Sequence, residues 1–260
     1  MVPLIETMAL GLLIGVVAAI LGIGGGVFLV PTLHMLLGLD MHKAVGTSLF
    51  VILFLSSSAA LSYSRKKLIL WKLALIFECG STIGAYVGAR TSSIMPSYWL
   101  KMCFSIVLLY TAYRMWRGKG KQPLKGSQGG SSVEATYNFR DPTFLVILIG
   151  LGFIAGFLSG LLGIGGGVVK VPIMSLILGL PMHNAVATSA FMITITALVG
   201  SSSHFAMGNV EYMTGLALAP FVMLGSHLGT RISVRLRGRI ISRLFAVLIA
   251  FVALRMIISV

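Results

Sequence analysis

Ten apolar segments, separated by short polar gaps, follow one another along this chain of 260 residues. A membrane-spanning helix needs about 20 residues, and eight segments have lengths close to that value. They are Leu4–Leu21, Ala44–Tyr63, Leu68–Gly88, Tyr98–Trp116, Thr143–Leu162, Ala185–Met207, Tyr212–Gly229 and Ile240–Val260. Val27–Leu39 and Val168–Leu180 are too short to span a bilayer. The pattern predicts an all-α, polytopic membrane protein with two five-segment halves.

The second half of the chain repeats the first. Leu21–Val27 recurs as Leu162–Val168, an offset of 141 residues (162 − 21), and both stretches read LGIGGGV. Between Gly15–Ser48 and Gly156–Ser189, 19 of 34 aligned positions are identical without a gap. A shared apolar composition would not keep one register through glycines, a proline and a histidine. The sequence therefore indicates an internal duplication.

The residues between the two copies have a different composition. Residues 117–140 are rich in Gly, Ser and Lys and show no apolar periodicity, which is typical of a flexible aqueous linker. We therefore expect a first transmembrane repeat at residues 1–116, a linker at 117–140 and a second transmembrane repeat at 141–260.

Composition supports a membrane protein and does not favour a nucleic-acid partner. Hydrophobic residues make up 57% of the chain and charged residues 10%, whereas soluble domains carry roughly 25% charged residues. The basic excess of 20 Lys and Arg over 6 Asp and Glu lies mainly in the short gaps between apolar runs. Cys79 and Cys103 lack metal-ligand spacing, and no metal or cofactor is expected.

The basic clusters predict how the two repeats cross the membrane. In the first half the cluster Arg65–Lys67 lies between the third and fourth segments. In the second half it lies between the fourth and fifth, at Arg231, Arg235, Arg237, Arg239 and Arg243. Cytoplasmic loops carry an excess of Lys and Arg. Placing both clusters and the linker in the cytoplasm predicts inverted repeats with both termini outside, a plan that recurs in secondary transporters.

The two glycine motifs, which we call the first glycine turn (Gly22–Gly26) and the second glycine turn (Gly163–Gly167), predict broken or re-entrant helices. A break at membrane depth is tolerated where protein or a watery cavity satisfies the backbone. The helix that follows each turn would direct its positive end and free N–H groups at the break, which favours an anion. The alternative is that these glycines only let helices pack closely.

Other side chains near the predicted breaks are candidates for the same site. Lys170 either anchors an anion or extends to the membrane interface. Glu78 either carries a proton or neutralises Lys170 or Lys72. The hydroxyl pairs either bind an oxyanion or serve in helix capping and interhelical hydrogen bonds; they are Thr47, Ser48, Thr188 and Ser189. His42 and His183, at short turns near opposite membrane faces, are either gating or structural residues.

The repeated pattern Gly-Ile-Gly-Gly-Gly-x-x-x-Val-Pro, followed by His-x-Ala-Val-x-Thr-Ser, resembles the sulfite exporter TauE/SafE family over both halves of the chain. The resemblance implies a carrier in a prokaryotic inner membrane for sulfur-containing or organic anions, such as sulfite, thiosulfate, sulfonates and sulfoacetate. It also implies that both glycine motifs line the substrate site. Carried over by position, these residues are Gly22, Gly24, Gly25, Gly26, Pro31, Gly163, Gly165, Gly166, Gly167 and Pro172.

These observations lead us to expect a secondary transporter, not an enzyme, that moves a small sulfur-containing anion by alternating access and is a candidate for proton coupling. The alternatives are a passive anion channel, a carrier of a non-sulfur solute and a membrane-embedded enzyme. The last is disfavoured because the sequence offers no credible nucleophile, base and acid set. The expected partners are a small anionic solute and the lipid bilayer; the sequence makes no prediction of oligomeric state.

Overall fold

The computed structural model describes residues 4–117 and 130–258, and within them the chain forms eleven helices and no strand. The helices are α1 (Leu4–Leu21), α2 (Gly26–Pro31), α3 (Met41–Arg65), α4 (Trp71–Ile94), α5 (Ser97–Arg117), α6 (Gly130–Glu134), α7 (Pro142–Leu162), α8 (Gly167–Pro172), α9 (Met182–Ala206), α10 (Tyr212–Ser233) and α11 (Gly238–Ile258). Short π-helical segments, Thr32–Leu36 and Ile173–Ile177, continue α2 and α8. The predicted all-α class is confirmed.

The duplication seen in the sequence extends to the helix boundaries. α8, α9, α10 and α11 each begin 141 residues after α2, α3, α4 and α5 respectively, as the starts Gly26 and Gly167 illustrate (167 − 26). α1 and α7 both end at the residue before a glycine turn. α6 has no counterpart in the first half, because it belongs to the segment between the repeats.

Among the residues that the structure describes, three helices are long and apolar enough to cross a membrane by length and composition: α3, α7 and α9. α3 begins three residues before the apolar segment predicted for it, at Met41, because Asp40 caps it. The Asp40 carboxylate accepts a hydrogen bond of 3.0 Å from the backbone N–H of His42. Such a cap satisfies one of the N–H groups that a helix start leaves without an intrahelical partner.

The long helices of one repeat pack mainly against helices of the other. α4 lies along α7, α1 along α10, α3 along α9 and α5 along α11. The larger hydrophobic core accordingly contains buried residues from both halves, such as Leu49 and Ile193. The two repeats therefore share this core.

Glycines let the α4–α7 pair approach closely. A β-carbon on Gly84 or Gly88 would clash with the carbonyl oxygen of Phe153 or Phe157 on α7. The contacts advance by four residues on both helices, so α4 and α7 run in the same direction. Small residues at such positions bring helix backbones together in membranes, where dispersion and polar contacts drive association.

Part of the predicted linker packs against the helical body. The Glu134 carboxylate of α6 accepts hydrogen bonds from the backbone N–H groups of Lys72 and Leu73, at 2.6 and 3.1 Å, and Val133 is fully buried. Gly130 N donates to Lys67 O at 2.9 Å. The sequence pattern missed this docking because it depends on the first turn of α4; residues 118–129 of the predicted linker lie outside the described residues.

The two basic clusters meet at one end of the bundle. Lys66 Nζ donates a hydrogen bond of 2.7 Å to Thr230 O near the end of α10. Partial burial, together with the positive charges of Arg231 and Arg235, lowers the pKa of Lys66 below its usual value. This proximity agrees with a threading in which both clusters lie on the same side of the membrane.

Candidate functional site

The fourth residue of each glycine turn has a backbone conformation that only glycine adopts without strain. Gly25 and Gly166 precede α2 and α8 with φ of 84° and 76°, in the left-handed region. A side chain at such a φ is unfavourable, which explains glycine at these positions. The remaining glycines of positive φ in the two turns are Gly22, Gly24, Gly163 and Gly165.

The two glycine turns touch one another in the centre of the protein. A β-carbon on Gly26 would lie 2.5 Å from Ile164 Cα, and one on Gly167 would lie 2.5 Å from Gly22 O. Gly24 and Gly165 both lie against Ile52 of α3 and Ile193 of α9. The first turns of α2 and α8 are therefore brought together at one buried place, closed by apolar side chains from both repeats.

Ser48 and Ser189 hold these turns across the repeat boundary. Ser48 Oγ donates a hydrogen bond of 2.9 Å to Gly163 O, and Ser189 Oγ donates one of 2.9 Å to Gly22 O. Both serines are fully buried. The structure thus brings the predicted serines to the glycine turns, with their hydroxyl protons directed at backbone carbonyls.

Thr47 and Thr188 lie at a different place, the starts of α10 and α4. Thr47 Oγ1 accepts a hydrogen bond of 2.8 Å from Glu211 N, and Thr188 Oγ1 accepts one of 3.1 Å from Leu70 N. Glu211 and Leu70 are the N-cap residues of those helices. The contacts correspond to the capping alternative of the sequence analysis, and a substrate role for the two threonines stays a prediction.

The prolines of the two motifs lie at the junctions where α2 and α8 become π-helical. Pro31 and Pro172 are each the last residue of their α-helical segment. Pro172 also lines an apolar groove of about 320 Å³ between α5, α7 and α8, with neighbours such as Ile106 and Leu158. The groove lies beside α8 and its lining does not include a glycine of the second turn.

Lys170 and Glu78 form a buried ion pair beside the second glycine turn. Lys170 Nζ lies 2.9 Å from Glu78 Oε2, Lys170 is fully buried and Glu78 is 3% exposed. Thr196 Oγ1 accepts a hydrogen bond from Lys170 and donates one to Glu78, and it lies 3.1 Å from Ser81 Oγ. The ammonium does not reach an interface, as snorkelling would require. Glu78 pairs with Lys170 and not with the exposed Lys72.

Comparison with known proteins agrees with this architecture. A family model described as Sulfite exporter TauE/SafE matches residues 7–256. The chain belongs to the sulfite exporter TauE/SafE family. It is 31% identical to the probable membrane transporter protein YunE of Bacillus subtilis, over 96% of each chain. No solved structure matches it.

Two further relatives carry the same kind of name. A second Bacillus subtilis protein, the probable membrane transporter YdhB, is 30% identical over 84% of this chain and 86% of its own. A probable membrane transporter of Methanocaldococcus jannaschii is 29% identical over 86% of this chain and 84% of its own. The TauE/SafE chain is therefore a multi-pass membrane protein of a transporter family.

The two glycine turns of this TauE/SafE protein have chemically different surroundings. A β-carbon on Gly25 would lie 3.0 to 3.5 Å from the apolar side chains of Leu55, Ala18 and Ile14. One on Gly166 would lie 3.2 Å from both Lys170 Cε and Ser159 Cβ. The second turn therefore lies in a polar environment, whereas its mate in the first repeat lies in an apolar one.

Three polar residues at the second turn were missed by the sequence analysis: Ser81, Ser159 and Thr196. Ser159 is fully buried, and its hydroxyl has no hydrogen-bond partner among the described residues. A signal was present, because their mates 141 residues away are apolar. Those mates are Val222 for Ser81, Ala18 for Ser159 and Leu55 for Thr196. Comparing the repeats for changes from apolar to polar would have found them.

The two candidate gating histidines of the TauE/SafE chain make equivalent contacts in their repeats. His42 Nε2 and Met95 O lie 2.9 Å apart, as do His183 Nε2 and Leu236 O. His42 Nδ1 also lies 3.0 Å from an Asp40 carboxylate oxygen. Each histidine connects the start of one helix to the loop before α5 or α11, and a gating role stays a prediction.

Proposed function

We propose that this protein is a secondary transporter that moves a small sulfur-containing anion, such as sulfite, thiosulfate or a sulfonate, across a prokaryotic inner membrane. Membership of the TauE/SafE family supports transport of a small solute. The observation that carries the anionic character is the fully buried Lys170 beside the second glycine turn. An ionisable residue at membrane depth is costly and usually faces a functional cavity or a partner.

The polar groups around Lys170 suit an oxyanion. An ammonium group binds anionic oxygens with up to three donated hydrogen bonds, and hydroxyl groups can donate further ones. Thr196 supplies a hydroxyl that bonds to Lys170, Ser81 lies 3.1 Å from that hydroxyl, and Ser159 lies beside Gly166. A site of this composition favours a small anion with several oxygens over a bare cation, which prefers a cage of oxygen ligands.

Helix directions support inverted repeats, with α1 and α7 crossing the membrane in opposite senses. α3 and α9 run antiparallel, since Gly46 lies against His204 and Leu49 against Gly200. α1 runs parallel to α10, and α10 runs parallel to α3, where Ser58 and Ser62 bond to Met223 and His227. α7 runs parallel to α4, and α4 runs parallel to α9, because their contacts advance in the same direction on both helices. Since α9 is antiparallel to α3, α7 is antiparallel to α1.

This arrangement supports an alternating-access mechanism, which is part of the proposal. Inverted repeats supply two related conformations in which a central site opens to one side or to the other. The two glycine turns contact each other at the boundary between the repeats, and the Ser48 and Ser189 hydrogen bonds cross the same boundary. The two repeats would move against each other at this boundary. Ile52 and Ile193 are fully buried at this centre, as the proposal expects for a conformation closed to both sides.

Uptake of radiolabelled sulfite and thiosulfate into proteoliposomes tests the proposal, with and without an imposed proton gradient. Saturable uptake is expected, and accumulation driven by the gradient would make Glu78 the first candidate for proton coupling. Lys170→Met should raise the apparent substrate constant strongly, whereas Lys72→Met, which changes an exposed lysine, should leave it unchanged. Absence of uptake by folded protein for sulfite, thiosulfate and a sulfonate would refute the sulfur-anion carrier, and flux that does not saturate would indicate a channel.

A further inference from the structure

The Lys170–Glu78 ion pair exists in only one of the two repeats. Lys170 corresponds to Leu29 and Glu78 to Ala219, so the equivalent place in the first repeat carries no charge. The hydrogen bonds of Ser48 and Ser189 are equivalent in the two halves, whereas the charge pair is present in one half only. The asymmetry predicts one charged site per chain.

Within the described residues the pair has no other charged neighbour. Lys170 lies on α8, and its contacts come from Glu78 on α4 and Thr196 on α9. α7, which packs against α4, contains no titratable side chain in Pro142–Leu162. The histidines of α9 lie near its ends, at positions 183 and 204, and Glu134 of α6 caps the start of α4. The charge balance of the site therefore depends on Glu78 and Lys170.

The Lys170 ammonium and the Glu78 carboxylate together carry no net charge, so the pair attracts a second anion only weakly. The Lys170 ammonium donates to Glu78 and Thr196, so a substrate oxyanion would compete for a donor already in use. Adding an anion to the intact pair would leave a net negative charge in a buried place, which is strongly unfavourable. Protonation of Glu78 removes this difficulty, because it cancels the carboxylate charge and leaves the ammonium to bind the incoming anion.

We propose that Glu78 is the resident counter-anion of Lys170 and that a substrate oxyanion replaces it at Lys170 Nζ when Glu78 takes up one proton. The inference rests on the proposed transport function and specifies how its site is coupled to protons. For a monoanion such as a sulfonate, the carboxylate becomes a neutral carboxylic acid, the anion pairs with the ammonium, and the total charge of the site is unchanged. When the anion leaves on the other side, Glu78 releases its proton there and pairs with Lys170 again.

Two polar neighbours have defined parts in this exchange. Thr196 Oγ1 contacts both charged groups and can continue to bond to Lys170 when the carboxylate becomes neutral. Ser159 is fully buried, and its hydroxyl has no hydrogen-bond partner in the part of the chain that the structure describes. It lies beside Gly166, against which the Lys170 side chain packs. Its hydroxyl is a free donor for an oxyanion at this place.

The exchange fixes the stoichiometry of transport at one proton for each anion. Methanesulfonate is a suitable probe because it carries one negative charge and no proton near neutral pH. For a monoanion moving with one proton, the cycle carries no net charge. An imposed gradient of one pH unit is then expected to drive accumulation of about tenfold, since one unit corresponds to about 1.4 kcal/mol.

The first test compares Glu78→Gln with the wild type in proteoliposomes loaded with methanesulfonate. Glutamine mimics the protonated carboxyl, so exchange of labelled for unlabelled anion should persist while accumulation driven by a pH gradient falls from about tenfold to none. Cys79→Ser, on the next residue of α4 but with an exposed side chain, is the matched control and should keep both activities. Gradient-driven accumulation by Glu78→Gln at the wild-type level would overturn the proposal.

A second test uses only the wild-type protein, so it can be carried out even if Glu78→Gln fails to fold. Wild-type protein in detergent and weak buffer is mixed with methanesulfonate, and proton uptake is followed with a pH indicator. The expected result is one proton taken up for each methanesulfonate bound, and anion binding without proton uptake would overturn the exchange. Failure of the transport function itself is distinguishable, because the wild type would then neither exchange nor bind any of the anions.

Discussion

Ser48 Oγ donates a hydrogen bond of 2.9 Å to the carbonyl oxygen of Gly163, so a helix of the first repeat holds the glycine turn of the second. Ser189 makes the same bond to Gly22 in the opposite direction. Each turn contains consecutive residues with unusual φ angles, and its backbone carbonyls need donors from elsewhere. The reciprocal pair of serines provides them from the other half of the molecule.

We expect Ser48→Ala and Ser189→Ala to destabilise the protein by similar amounts. Each leaves a buried carbonyl without its side-chain donor, which costs about 1–3 kcal/mol. Thermal unfolding in detergent would measure the loss. Ser57→Ala is the control on α3, because Ser57 bonds only to Leu53 O of its own helix, and its effect should be small. A loss in one serine variant without the other would argue against equivalent roles.

Close packing of α4 on α7 predicts opposite outcomes for two glycines of α7. Gly156→Ala should lower the unfolding temperature clearly, because its β-carbon would lie 2.6 Å from Ser81 Cα and clash with the Ser81 carbonyl. Overpacking of this kind costs about 1–3 kcal/mol. Gly150 lies on the same helix with nothing within 4 Å of its β-carbon position, so Gly150→Ala should be tolerated. Equal effects of the two changes would contradict this packing.

Opposite orientation of the repeats can be tested by labelling single cysteines in whole cells, after Cys79 and Cys103 are replaced. Arg65 and Ala206 are exposed repeat mates at the ends of α3 and α9. Arg65→Cys should be inaccessible to an impermeant reagent added outside, and Ala206→Cys should react with it. Arg235→Cys should behave like Arg65→Cys, because both basic clusters lie at one end of the bundle. Labelling of both mates from the same side would rule out inverted repeats.

Glu134 is expected to stabilise the first turn of α4 from outside the two repeats. Glu134→Ala removes the acceptor for Lys72 N and Leu73 N, a change comparable to loss of a helix cap, about 1 kcal/mol. Hydrogen exchange of those amides should then accelerate roughly fivefold. Glu211→Ala is the counterpart at the start of α10, where the side chain makes no capping bond, and should leave exchange there unchanged. Unaltered exchange in Glu134→Ala would show that the cap contributes nothing.

Much of the fold could be predicted because the duplication and the apolar lengths are local properties of the sequence. The ten predicted segments correspond to ten of the helices, and the two short ones coincide with α2, α8 and their π-helical continuations. The pairing of α4 with α7 could not be predicted, since close approach of glycines depends on which helices face each other. The docking of α6 on α4 was missed for the same reason.

In the candidate site, too, some features could be predicted from the sequence and others depend on how the helices pack. The sequence alone determined that glycine breaks recur in both repeats and that Lys170 and Glu78 are charges within apolar runs, because a charge at membrane depth stands out from its neighbours. It left the partner of each charge open. Only the tertiary structure brought α4, α8 and α9 together, so that Glu78 pairs with Lys170 and the hydroxyl of Thr196 contacts both. The physical reason is that an ion pair between residues 92 positions apart is fixed by helix packing, which local sequence does not encode.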